Sequence, residues 1–131
     1  MTIAYHVSQD GLRIETFPRG VLDIRKTIDY FKKLRSDTKI RPGAIEIVYF
    51  KHVTDFNISY SDSEKIVRSY EDPQRERRID GTIFVCENDL SYGIGRMLQT
   101  LHEMANPGRR VAVIRSEDGI GAAINLISPT Q

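Results

Sequence analysis

Ala44-Ile45-Glu46-Ile47-Val48-Tyr49-Phe50 is the stretch on which the reading of the fold turns. It is mostly apolar, β-branched and aromatic, the mark of a strand covered on both faces, as central strands of parallel sheets are. Thr82-Ile83-Phe84-Val85-Cys86 and Val111-Ala112-Val113-Ile114 are further runs of the same kind. Working outward, Ile3, Tyr5 and Val7 alternate with Ala4 and His6, Gln9-Asp10-Gly11 supplies a turn, and Leu12, Ile14 and Thr16 alternate with Arg13, Glu15 and Phe17. That pattern predicts an opening β-hairpin.

Between these strands the sequence shows helical spacing. After Pro18 and Gly20, Asp23 caps a helix whose apolar positions are Ile24, Ile28, Phe31 and Leu34, ending before Arg41-Pro42-Gly43. Ser61-Asp62-Ser63-Glu64 matches a capping box, and opens a short polar helix through Ile66, Val67 and Tyr70 that Pro73 terminates. Asp89 opens the clearest amphipathic helix, with Leu90, Ile94, Met97, Leu98, Leu101 and Met104 before Asn106-Pro107-Gly108. Ser116 or Asp118 starts a terminal helix through Ile120, Ile124 and Ile127. The expected order is ββαβαβαβα, an α/β fold with a mixed, mostly parallel sheet packed with helices and the first strand antiparallel at an edge. Without a linker, repeat or low-complexity segment, residues 1–131 are expected to form a single domain.

Composition narrows the function classes. The chain has 131 residues, 40% of them hydrophobic and 28% charged, which suits one globular core. Its 19 basic and 18 acidic side chains leave a net charge of +1, so no global field steers it toward nucleic acid or an anionic membrane. Nothing approaches the apolar length of a membrane span, and Met1 to Asp10 does not read as a signal peptide. The lone Cys86 has no internal partner, which fits a reducing cytoplasm. Three histidines and one cysteine offer no spaced ligand set, so neither a metal nor any cofactor is expected.

The order of elements, together with Val48-Tyr49-Phe50-Lys51-His52-Val53-Thr54 and Asp89-Leu90-Ser91-Tyr92-Gly93-Ile94-Gly95-Arg96-Met97, resembles the STAS-domain family. These are the SpoIIAA-like, anti-anti-sigma-factor-like proteins, and the similarity is to a bacterial subset of small, stand-alone, uncharacterised members. The resemblance implies a non-catalytic regulatory or signalling module that works through protein–protein interaction. It also implies a loop after the central strand in which an acidic residue precedes a phosphorylatable Ser. Here that loop is Asn57-Ile58-Ser59-Tyr60, with Ile58 in the acceptor's place and Asn57 in the acid's, so the usual switch does not carry over. Ser59 is the nearby substitute and the candidate phosphorylation position.

In an open parallel sheet, ligands meet the carboxyl ends of the strands. That edge is expected to gather Lys51, His52, Asp55, Phe56, Tyr60, Glu87, Asn88, Asp89, Tyr92, Glu117 and Asp118. The candidate partner-binding residues are His52, Asp55, Phe56, Asn57, Ser59, Tyr60, Asp89, Tyr92 and Arg96, because aromatic rings interleaved with charges suit protein binding. Acids at helix N-termini also simply complement the helix dipole. The opposite edge should collect Arg35, Lys39, Arg41, Arg75, Arg77, Arg78, Arg109 and Arg110, the usual place for cations at helix C-termini. Gly93-Ile94-Gly95 lacks the spaced third glycine of a dinucleotide loop, so close packing of a helix on the sheet is the better account.

The leading expectation is therefore an interaction module with an unidentified protein partner. The alternative is a small-molecule binder for a nucleotide or a lipid-like ligand, because STAS-like folds resemble folds of both kinds. A hydrolase or transferase using His52 as a base comes third, since no nucleophile or substrate-pocket motif accompanies it. A homodimer through the exposed first strand is the one oligomer the pattern suggests.

Overall fold

The apolar runs are neighbouring parallel strands. In the computed structural model, which describes residues 3–69, 79–105 and 110–127, the chain forms β1 (Ala4–Val7), β2 (Arg13–Phe17), β3 (Arg19–Asp23), α1 (Ile24–Ser36), β4 (Ala44–Tyr49), β5 (His52–Asn57), α2 (Tyr60–Ser69), β6 (Ile79–Val85), α3 (Asp89–Ala105), β7 (Arg110–Ile114), a short 3₁₀ turn (Glu117–Gly119) and α4 (Ile120–Ile127). The main sheet has the order β1-β2-β4-β6-β7, with β1 antiparallel to β2 and every other pair parallel. The register sets Val48 beside Phe84 and Phe84 beside Val113.

The expected order omitted β3 and β5, which pair in parallel as a separate ribbon. They continue the β2–β4 pairing after a break. Pro18, which has no N–H for a ladder, ends β2, and the Phe50–Lys51 turn ends β4, after which Arg19 pairs with His52. A bulge hid β5 from a period-two reading: Gly20 faces Val53 but Val21 faces Asp55, leaving Thr54 as the extra residue. Val53 and Phe56 can then both join the core although an even spacing would not place them together. Gly20 takes φ 68°, which a β-branched residue would resist.

One sheet face is covered by α1, α2 and α3 over Ile14, Val48 and Phe84, and the other by α4 over Ile45, Ile47, Ile83 and Val85. Asp23 caps α1 by accepting from the Lys26 N–H at 2.9 Å, as its type and position predict. The inward residues of α1 are Thr27, Tyr30, Phe31 and Leu34, whereas Ile28, expected in the core, is 40% exposed. Leu90 and Met104 of α3 likewise point outward. The cap of α2 lies earlier than the Ser61 box: Ser59 Oγ accepts from the Asp62 N–H at 3.0 Å, and the Asp62 carboxylate accepts from the Ser59 N–H at 3.1 Å. Tyr70, Pro73, Arg75, Arg77, Arg78, Arg109 and the Asn106-Pro107-Gly108 stop lie outside the described residues.

Close packing explains one glycine of α3. A Cβ on Gly95 would stand 3.0 Å from Cys86 Sγ and 3.0 Å from Val113 Cγ1, so the helix sits on the sheet there with no room to spare. Gly93 and Gly121 have open space instead, which corrects the packing expectation for Gly93.

Candidate functional site

Because β4, β6 and β7 run in register, the residues after them line up along one edge. Phe50 N–H donates to Val85 O, and Cys86 N–H donates to Ile114 O, which brings Lys51–His52, Glu87–Asp89 and Arg115–Ser116 into a row. Asn88 caps α3, its side chain accepting from the Ser91 N–H at 2.8 Å. This sets Asp89 and Tyr92 on the first turn of that helix.

The charged centre of this edge is Arg115, which is not among the expected residues. Arg115 Nη1 stands 3.0 Å from the Asp89 carboxylate, and its guanidinium carbon lies 4.0 Å from the centroid of the Tyr92 ring. Exposed ion pairs of this sort contribute little to folding, because solvent screens them and the side chains lose freedom. Stacking a cation on a ring adds a modest further attraction and fixes the plane of both groups. The result is an exposed cation and anion held together over a half-buried ring. A sequence signal existed: Arg115 directly follows the apolar Val111–Ile114 run and stands among Glu87, Asp89, Glu117 and Asp118.

Not every expected residue joins that row. His52 stands at this row as the first residue of β5, but Asp55 is exposed further along that strand, and β5 carries the chain about 16 Å from His52 to Asn57 at the usual rise of a strand. Asn57 pairs with Asp23 at the far end of the ribbon, so Ser59 and Tyr60 begin α2 beside the start of α1. Tyr60 is 61% exposed there. Phe56 turns inward and meets Phe50 edge-on, with centroids 5.3 Å apart, so it props the ribbon rather than presenting a free ring. Ile58 also packs against the core. Arg96 is exposed one turn after Tyr92, completing the outward stripe of α3.

Directly beneath Arg115 and Tyr92, the core closes over Cys86. Burial pushes its thiol up to about 12, against the smaller opposing effects of a hydrogen bond with Ser91 and the charge of Arg115. A thiol held neutral and fully buried is a packing group, not a nucleophile. Among the described residues no cluster of three His, Cys, Asp or Glu side chains is placed to hold a metal ion, and no helix is long and apolar enough to cross a membrane.

Glu46 is a second polar feature outside the expected residues. It sits inside the deciding apolar run and is 1% exposed, facing the α1 side of the sheet. Its carboxylate accepts from the hydroxyl of Tyr30 and, at 2.9 Å, from that of Thr82. Helix α1 is thereby tied to two strands by polar bonds within the core.

No family model matches the chain, and no curated protein matches it. Solved structures do. One is an uncharacterized protein of the DUF3478 family from Shewanella loihica PV-4 with a SpoIIAA-like fold, which superposes with a TM-score of 0.56 at 12% identity, covering 95% of this chain and 91% of that one. Another is the anti-sigma factor antagonist SpoIIAA in its unphosphorylated form, with a TM-score of 0.49 at 12% identity over 98% of this chain and 99% of the other. The likeness is one of fold, carried by the DUF3478 protein, and it spans nearly the whole chain.

Proposed function

We propose that this SpoIIAA-like fold is a non-catalytic interaction module that receives a protein partner on the edge where β4, β6 and β7 end. The observation that carries the reading is the Asp89–Arg115–Tyr92 group, an exposed ion pair whose cation is stacked on a half-buried ring, with Leu90 beside it at 55% exposure. An apolar anchor flanked by charges that set register is what a protein interface needs. His52, Asp55 and Arg96 extend the surface, while Asn57, Ser59 and Tyr60 form its outlying part at the end of the ribbon. A single cysteine with no partner for an internal disulfide suits a reducing compartment such as the cytoplasm.

Two finer readings are less favoured. Phosphorylation of Ser59 would set a doubly charged group against the Asp62 carboxylate that caps the same turn. Capping accounts for Ser59 without it. A nucleotide would need a glycine turn at a helix entry, whereas Gly93 and Gly95 lie within α3.

The test is affinity capture of the Tyr60→Ala/Tyr92→Ala double variant from its own host cells, with co-purifying proteins quantified against the unaltered chain. Loss of a specific partner is expected. Retention of every partner by the double variant would remove this placement of the interface.

A further inference from the structure

A strand at the rim of a sheet has a row of backbone groups with no neighbouring strand to bond. Here one such strand is β1, at the end of the order β1-β2-β4-β6-β7. Its hairpin with β2 fixes which groups are free. Ser8 N–H donates to Arg13 O at 2.8 Å, so these two form a hydrogen-bonded pair, and in an antiparallel ladder such pairs alternate with pairs that do not bond. His6 with Glu15 and Ala4 with Phe17 therefore bond across the hairpin, while Tyr5 and Val7 point their N–H and C=O groups away from β2. Among the described residues no strand lies on that side.

The surroundings of this edge are basic. A cleft of about 500 Å³ separates β1 from the end of α1, with Tyr5 on one side and Lys32, Lys33 and Ser36 on the other. At the hairpin end, Arg41 N–H donates to Gly11 O at 2.9 Å, and a Cβ on Gly11 would meet Lys39 O and, at 2.8 Å, Arg41 Cγ, which sets Lys39 and Arg41 against the turn. Among the described residues Lys32, Lys39 and Arg41 have no ion pair, and the Lys33–Asp29 pair, at 3.5 Å, is half-exposed and screened. The acids nearby already have donors. Asp37 accepts from the Tyr5 hydroxyl at 2.8 Å and from the Lys39 N–H at 3.0 Å, and Asp10 accepts from the Ser8 hydroxyl and the Leu12 N–H.

We propose that β1 receives an extended, acidic segment of a partner protein, which joins the sheet as a further strand and sets its carboxylates against Lys32 and Lys33. Tyr5 and Val7 supply the backbone bonds, and the cleft takes the side chains that face α1. Charge complementarity selects this occupant. A second copy of the chain, which the pattern of the first strand suggested, fits less well, because antiparallel pairing of β1 with itself brings Lys32 and Lys33 of both copies to one joint. Lysines beside an edge guard it against such pairing. The site is separate from the Asp89–Arg115–Tyr92 edge and does not rest on it.

Short acetylated peptides serve as probes, titrated into the full chain with backbone amide shifts followed by NMR: one of alternating glutamate and threonine, one with lysine for glutamate, and the glutamate peptide N-methylated along its backbone. Alternation places every glutamate on one face of the added strand. The glutamate peptide is expected to give saturable shifts and slower hydrogen exchange at Tyr5 and Val7. The other two should bind about tenfold more weakly, one for want of ion pairs and one for want of backbone donors. Val7→Pro removes an outward N–H without touching the bonds to β2, and should weaken the glutamate peptide to a similar degree. Lys32→Glu/Lys33→Glu, on the exposed face of α1, should reverse the preference toward the lysine peptide, which preserves the test if Val7→Pro does not fold. Absence of shifts at Tyr5 and Val7 with the glutamate peptide, equal binding of the lysine or N-methylated peptide, or an unchanged preference in the charge-reversed chain would each overturn the proposal. Concentration-dependent shifts at Tyr5 and Val7 without any peptide would also overturn it, by assigning the edge to a second copy. None of these outcomes bears on capture of a partner at the Tyr92 edge.

Discussion

Replacing either glycine of α3 by alanine separates helix propensity from packing, because both residues lie in the same helix and only one of them touches the sheet. Gly93→Ala meets nothing within 4 Å, so it should show only the gain of removing a glycine from a helix, about 0.5–1 kcal/mol of added stability. Gly95→Ala has the same gain, but its methyl group would lie 3.0 Å from both Cys86 Sγ and Val113 Cγ1 and 3.6 Å from Phe84 Cβ. Neither close neighbour yields readily. Cys86 is fully buried with its N–H held by Ile114 O, and Val113 is a β-branched strand residue with restricted χ1. Overpacking of this kind costs about 1–3 kcal/mol, which outweighs the propensity gain and leaves Gly95→Ala net destabilised by about 1 kcal/mol. The difference between the two variants isolates the clash, since the propensity contribution cancels. Urea denaturation of both, with equal m-values, measures it directly. Gly95→Ala as stable as Gly93→Ala would refute the close approach of α3 to β6 and β7.

Other consequences are simpler to state. Ser59→Ala removes the cap of α2 and should lower stability by about 1 kcal/mol in denaturant titration. Tyr30→Phe takes away the hydroxyl that links Thr16 to Glu46 and leaves a buried carboxylate short of a donor, an expected loss of about 1–3 kcal/mol by the same method. Cys86 should resist alkylation in the native protein at pH 8 and react once unfolded in urea. Its thiol binds a proton more tightly when folded, near 12 against an ordinary 9.0, so stability should fall as pH rises between those values. In Cys86→Ala that part of the alkaline slope should be missing.

The parallel core was legible because its strands are covered on both faces: Ala44–Phe50, Thr82–Cys86 and Val111–Ile114 could hardly be exposed, and they do pair side by side. What escaped notice did so for local reasons. The bulge at Thr54 broke the alternation that would have revealed β5, and Pro18 concealed β3 by suggesting a loop. On α1 the choice between Ile28 and Tyr30 depends on helix rotation, and Tyr30 wins because its hydroxyl has Thr16 and Glu46 to bond with, which no hydropathy pattern shows. Glu46 was visible as the lone acid of an apolar run, yet its meaning required its partners on other elements. The site was half legible for a related reason. Asp89 and Tyr92 share one helix turn, but Arg115, which orders them, is 26 residues from Asp89 in the chain. His52 and Tyr60 looked like one patch because an unrecognised strand lay between them.

The claim that most needs testing is that a partner meets the edge where α3 begins. A photoreactive amino acid placed at Leu90, beside Asp89 on that edge, should crosslink to a specific protein in host cells, whereas the same group at Leu126 of α4, 77% exposed on the other side of the sheet, should not. Capture of the same partner from position 126 but not from position 90 would contradict the account.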